Sequence, residues 1–194
     1  MDPGPIGRHT FGRMADRPLA PLPYEFLPPA ASFTVTSDDI ADGQPMPVAH
    51  ASGMFGVPGG TDASPQLSWS GAPEGTKSYA VTCFDPDAPT GSGFWHWVVL
   101  DIPADVTSLA TGAGAQDGAG LPPGAVQTRN DAGAPGFVGA GPPPGHGPHR
   151  YAFAVHALDV EHTGADASAT PAYAGFTMFG HTIGRALLTA TFEQ

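Results

Sequence analysis

Apolar positions alternate with smaller or polar ones in two stretches that read as strands. Across residues 78–84, Tyr79, Val81 and Cys83 interleave with Ala80, Thr82 and Phe84; across residues 151–158, Phe153, Val155 and Ala157 interleave with Ala152, Ala154 and His156. Period two with apolar residues on both faces predicts strands that are largely buried. Residues 94–101 are denser still in aromatic and β-branched side chains and read as a third strand. Shorter candidates lie at residues 32–36 and 66–69, with weak strand signals around 125–128, whereas residues 42–60 and most of 102–136 carry no clear element.

The period changes near the C-terminus. Thr170-Pro171 is a helix start, an N-cap followed by proline at the first helical position. Phe176, Phe179, Ile183 and Leu187 then recur at three- and four-residue spacing, which predicts a helix with one apolar face. Gly175, Gly180 and Gly184 each weaken that helix by about 1 kcal/mol relative to alanine. They either bring it close to a sheet or split the segment in two. With strands dominant and helix peripheral, the fold class is mainly β.

The loops between the strands are stiff. Glycine and proline number 27 and 23 in 194 residues and concentrate between the strand-like runs, so they signal turns and long loops. Residues 1–31 hold seven prolines and no period, and read as an irregular arm before a domain over 32–194. Met14-Ala15-Asp16 offers a second start, so residues 1–13 need not belong to the working protein, and their removal is expected to leave stability unchanged. A chain of this length with 41% hydrophobic residues supports one domain with a substantial core.

Charge removes several function classes. Seven basic against eighteen acidic residues give a formal charge of −11, which opposes non-specific binding to nucleic acid and to an anionic membrane surface. No apolar run approaches the ~18 residues of a membrane span, so no stable membrane insertion is expected, and no signal-peptide core is visible. The expected location is the cytoplasm. The single cysteine, Cys83, falls in a strand read as buried, so it is expected to be a structural thiol.

Two loops deliver chemistry to strand ends. The first is Asp85-Pro86-Asp87-Ala88-Pro89-Thr90-Gly91-Ser92-Gly93, running into Phe94-Trp95-His96-Trp97. Its prolines fix φ and remove donors, and an X-Pro bond in so tight a turn is a candidate for the cis form. The second is Gly139-Ala140-Gly141-Pro142-Pro143-Pro144-Gly145-His146-Gly147-Pro148-His149-Arg150-Tyr151. Asp85 and Asp87 read either as paired carboxylates for acid–base work or as turn formers bonding their own backbone. The structural role is favoured for Asp87. His96, between two tryptophans, reads on its own more as a packed strand histidine than as a ligand. His146-x-x-His149 with His96 and Asp85 offers enough ligands for zinc, but the spacing lies in a proline–glycine loop and no second cysteine helps, so no metal and no cofactor are expected. No G-x-S-x-G elbow is present, and Ser92 reads as turn chemistry. Gly139 and Gly141 present backbone N–H groups to an anion, although Pro142 and Pro143 cannot donate.

DPDAP followed by FWHWVV, then GAGPPPGHGPHRY, resembles the two signature regions of the phosphatidylethanolamine-binding proteins, also called Raf kinase inhibitor proteins, in their bacterial, actinobacterial-like branch. The resemblance covers roughly residues 32–194. It implies antiparallel sheets packed as a sandwich with a C-terminal helical segment. It places His96, His149 and Asp85 at the family's pocket, with Asp87, Pro89, Trp95, Gly139, Gly141, Pro142 and Tyr151 completing the expected ligand-binding set, and leaves His146 as a loop histidine. It also implies phosphorylated head groups such as phosphorylethanolamine as ligands, kinases or proteases as protein partners and, in bacterial members, a homodimer. The function expected is a non-enzymatic binding and regulatory module. The alternative is a hydrolase of phosphoesters or esters in which His96, His149 and Asp85 act as acid and base.

Overall fold

The alternating segments form long central strands. A computed structural model describes residues 19–194, and in it the chain forms β1 (Ala31–Ser32), β2 (Thr34–Thr36), β3 (Leu67–Ser70), β4 (Ser78–Asp85), β5 (Phe94–Pro103), β6 (Ser108–Leu109), β7 (Val126–Gln127), β8 (His149–Leu158), α1 (Pro171–Met178) and β9 (Thr182–Phe192). A six-stranded sheet in the order β1-β9-β8-β4-β5-β7 packs on a three-stranded sheet, β2-β3-β6. Every strand pair is antiparallel except β1 with β9. The fold is a mainly β sandwich with one short helix.

The candidate strand at residues 32–36 is divided between the sheets. Ala31 and Ser32 pair with Gly184 and Arg185 of β9, while Thr34, Val35 and Thr36 pair with β3. The chain thus crosses from one layer to the other at Phe33, whose ring packs towards Tyr79 in the inter-sheet core. That core gathers Leu67, Trp69, Val81, Cys83, Trp97, Val99, Phe153 and Val155. Cys83 is fully buried, and burial pushes its thiol well above the ordinary range. On the outer face of the large sheet, Ala80, Val98, Leu100 and Leu158 pack beneath Ala174 and Met178 of α1. Both faces of β4 and β8 are covered, which is why their alternating positions are apolar throughout.

The C-terminal segment departs from the predicted single helix. Thr170 does cap α1, its side chain accepting from the Tyr173 amide, but the helix ends at Met178 and the following residues form the eleven-residue strand β9. Gly180 takes a φ of +89° at the break, and a Cβ on Gly184 would lie 2.8 Å from Pro73 Cδ. The glycines therefore do both things open to them, splitting the segment and admitting a close neighbour. The predicted apolar stripe is not the packed face: Phe176 and Phe179 are exposed, and α1 buries Pro171, Ala174 and Met178 instead. Pairing with β8 along its whole length overrides the weak helical period.

The arm expected over residues 1–31 joins the domain in its later part. Tyr24 is buried against Ala152 and Ala154, and the Ala20 carbonyl accepts from Arg150 Nη2 at 2.7 Å. Residues 1–13 lie outside the described residues. All described peptide bonds are trans, so the cis X-Pro candidate is not realised. No helix among the described residues is long and apolar enough to cross a membrane.

Candidate functional site

Asp85 ends β4, Phe94 and His96 open β5, and His149 and Tyr151 open β8, so the antiparallel order brings three strand ends to one corner of the large sheet. They line a cavity of about 270 Å³ together with Phe55, Ala88, Pro89, Thr90, Gly141 and Pro143. A bulge aims His96 into it. Cys83 pairs with Trp97 and Phe84 with Trp95, so His96 is the extra residue opposite no partner. A bulge lets neighbouring side chains break the strict alternation of a strand. Gly93 permits the tight entry to β5: it takes a φ of +72°, and any Cβ there would run into the Phe84 ring and lie 2.8 Å from the Asp85 carbonyl oxygen.

Most polar groups at this corner are already committed. The Asp85 carboxylate accepts the Asp87 amide at 2.7 Å through Oδ1 and His149 Nδ1 at 2.7 Å through Oδ2. His149 Nε2 lies 2.6 Å from His146 Nδ1. Since Nδ1–H of His149 donates to the carboxylate, a neutral His149 leaves Nε2 as an acceptor and His146 Nδ1–H donates to it. Asp85, His149 and His146 thus form a buried hydrogen-bonded chain of three side chains.

His96 differs. Its Nδ1 lies 2.8 Å from the Val138 carbonyl oxygen, which can only accept, so Nδ1 carries the proton and Nε2 is the lone-pair nitrogen of the neutral ring. Burial lowers its proton affinity below the ordinary histidine range; the Asp85 charge and the Val138 carbonyl pull the other way and do not prevail. Phe94 and Tyr151 flank the ring, with centroids at 4.8 and 5.0 Å. The Tyr151 hydroxyl is buried, and burial holds its proton on well above the usual range. Phe55, half exposed and edge-on to Phe94 at 6.1 Å, stands at the mouth.

The comparison with known proteins agrees with the sandwich. The family model described as "Phosphatidylethanolamine-binding protein" matches residues 36–193. The chain belongs to the phosphatidylethanolamine-binding protein family. It is 50% identical over 168 residues to UPF0098 protein YbcL of Escherichia coli, covering 87% of this chain and 91% of that one. UPF0098 protein YbhB of the same organism is 47% identical over 157 residues, 81% of this chain and 98% of the relative. The crystal structure of E. coli YbcL, described as a member of the mammalian family, superposes with a TM-score of 0.82 at 49% identity, over 84% of this chain and 99% of that one.

Within this phosphatidylethanolamine-binding protein fold, the expected site residues divide. Asp85, Pro89, His96, Gly141, His149 and Tyr151 line the cavity. Asp87 does not. Its carboxylate accepts from Arg150 Nε at 2.8 Å, from Arg150 Nη2 at 2.7 Å and from the Arg150 amide at 3.0 Å, and so locks the first signature loop to β8. Trp95 is on the other face of the sheet, its ring 4.5 Å from Phe84, because the bulge turns His96 inwards and leaves Trp95 paired with Phe84. The Gly139 amide donates to Asp62 at 2.8 Å and is closed to an anion. Pro142 presents its carbonyl to Gln194, leaving Pro143 as the proline at the cavity. His146, expected as a loop histidine, is fully buried in the chain with His149. Phe55, Phe94 and Thr90 are cavity residues the reading of the sequence passed over. Phe55 carried no signal, since it lies in a segment without period, and Phe94 stands in the strand motif without a polar group to single it out.

Proposed function

We propose that the protein is a non-enzymatic binding module whose corner cavity takes a small phosphorylated anion of the head-group class. His96 carries this reading. With Nδ1 held by the Val138 carbonyl, Nε2 is the ring nitrogen left for a ligand, in a cavity walled by Phe94 and Tyr151. A phosphate monoester has its second ionisation near pH ~6, so it enters as a monoanion with one P–O–H or as a dianion. The monoanion donates to the neutral Nε2; the dianion needs the ring protonated and draws the proton onto it. Either way one proton is held between phosphate and imidazole in surroundings that strengthen the bond. Asp85 supplies the counter-charge for the ammonium of phosphorylethanolamine, each of its oxygens having a lone pair beyond the bond it already accepts. Regulation of a kinase or protease and a homodimeric state are taken into this reading from the family alone.

Isothermal titration with phosphorylethanolamine tests it. Binding should weaken by about tenfold or more in His96→Ala, the loss of one charge-assisted hydrogen bond. Equal affinity in the variant, or no binding by the folded wild type, rejects the proposal.

A second reading has one observation in its favour. The chain of Asp85, His149 and His146 is built like an acid–base relay, with a carboxylate orienting an imidazole. Turnover of a panel of phosphoesters and esters, abolished by His149→Ala, would support a hydrolase; a stoichiometric complex without turnover leaves the binding module.

A further inference from the structure

The outer face of the large sheet holds a second, larger cavity, of about 360 Å³, between residues 23–28 and α1. Trp95, Met178, Phe179 and Leu27 are among its walls, and Tyr24, Thr82, His156 and Arg185 are among its polar lining. It is separated from the corner cavity by the sheet itself. Trp95 faces it where His96 faces the other, and His156 of β8 faces it where Tyr151 faces the other.

The polar lining is neutral except for one cation. Tyr24 Oη lies 2.9 Å from Thr82 Oγ1, and Thr82 Oγ1 lies 3.2 Å from His156 Nε2, so these three satisfy one another. Burial holds His156 down to about 3, hence uncharged at neutral pH, and burial keeps the Tyr24 phenol protonated. Arg185 is different. Its guanidinium carbon sits 5.2 Å above the Tyr24 ring, and Nε makes a long 3.4 Å contact to His156 Nδ1. Among the described residues neither terminal nitrogen has a hydrogen-bond partner, no carboxylate lies within salt-bridge distance, and no acidic residue lines the cavity. In a chain with eighteen acidic and seven basic residues, a half-buried guanidinium without an acid beside it is out of keeping with its surroundings. Arg150, the comparable arginine on the neighbouring strand, is clamped by Asp87.

We propose that this cavity is a binding site for a small amphipathic carboxylate, an aliphatic or arylaliphatic acid whose apolar body lies between Trp95 and α1 and whose head pairs with Arg185. The two requirements meet in one place: apolar walls, and a planar fork of donors that matches a carboxylate in bidentate fashion. A cavity of this size, mostly apolar with a few placed polar groups, suits a small organic ligand. The site is independent of the head-group reading of the corner cavity, since it shares no lining residue with it.

Sodium octanoate and 1-octanol, titrated calorimetrically into the full chain, separate the head from the body. Octanoate should bind one site, and Arg185→Gln should weaken it by about tenfold or more while changing octanol by less than about twofold. Arg185→Lys, which keeps the charge but loses the fork, should lie between and guards against a folding defect in the glutamine variant. Gly175→Phe should abolish both ligands: glycine there lines the cavity in α1 and a Cβ meets nothing within 4 Å, so the ring can fill the space without backbone strain. His96→Ala should leave both affinities unchanged. The proposal is overturned if octanoate binds no better than octanol, or if folded Arg185→Gln keeps wild-type affinity for octanoate. It is also overturned if the chain takes up no octanoate and sediments as a dimer that Phe176→Glu dissociates, which would assign this face to a second copy.

Discussion

Each face of the large sheet carries a buried chain of three hydrogen-bonded side chains that includes histidine, and the two have opposite electrical characters. At the corner, Asp85, His149 and His146 are joined at 2.7 and 2.6 Å, and the chain contains an anion. On the outer face, Tyr24, Thr82 and His156 are joined at 2.9 and 3.2 Å, and the chain contains no charge, with Arg185 beside it. The same residue type therefore does different work. A carboxylate orients His149, whereas burial and a neighbouring guanidinium keep His156 neutral. Burial alone cannot distinguish them, since His149 and His156 are both almost wholly inaccessible. The identity of the next group along the chain decides.

The sharpest test of this contrast is acid stability. His156 is held to about 3 in the folded protein and titrates near ~6.5 when unfolded, so on acidification the unfolded chain takes the proton first. Its contribution is intact above about pH 6.5 and falls by about 1.4 kcal/mol per pH unit below that, about 5 kcal/mol in all by pH ~3. Urea denaturation between pH 7 and pH 4 should show His156→Gln losing stability less steeply than wild type. Parallel curves would mean that the outer chain is not kept neutral and would break the comparison.

Next in size is the clamp that holds the corner in register. Asp87→Asn leaves Arg150 with half a partner and should cost about 3 kcal/mol, the usual loss when one member of a buried pair is removed. Unfolding free energy should fall by that amount, and phosphorylethanolamine should still bind the folded fraction, since Asp87 does not line the cavity. A variant of unchanged stability that loses binding would return Asp87 to the site.

Sulfate, whose charge does not change with pH, isolates His96. Affinity should rise by about tenfold from pH 8 to 5.5, and the rise should continue below pH ~6.5 because burial lowers the proton affinity of this ring. His96→Ala should flatten the profile. His149→Ala should keep its slope, because both nitrogens of His149 are already engaged within the protein. A flat wild-type profile would mean that backbone dipoles alone hold the anion. The smallest effect is expected for Tyr24→Phe, which removes one buried hydrogen bond to Thr82 and should cost about 1 kcal/mol in thermal or urea unfolding. A cost near zero would show that residues 19–31 are held on the sheet without the help of that bond.

Much of the sandwich can be read from the chain. Alternation in residues 78–84 and 151–158 appears as β4 and β8, because a strand covered on both faces must place apolar groups at every position. Thr170-Pro171 starts a helix for reasons local to those two residues. The end of that helix was not legible. Phe176, Phe179, Ile183 and Leu187 keep helical spacing, yet β9 forms from Thr182 because β8 offers it a full ladder of backbone bonds from a segment distant in sequence.

The candidate site divides in the same way. Which residues are available there is written in the chain: Asp85, His96, His149 and Tyr151 stand in two motifs at strand ends, and antiparallel pairing carries such ends to a common corner. Which of them face the cavity, and which nitrogens remain for a ligand, depends on contacts made across the folded sheet. A one-residue bulge turns His96 inwards and leaves Trp95 outside, Arg150 takes Asp87 away, and His146 and Asp85 occupy both nitrogens of His149. Motif residues report chemistry, but the direction of a side chain depends on strand register and its free valence on neighbours from elsewhere in the chain, and neither is written within the motif.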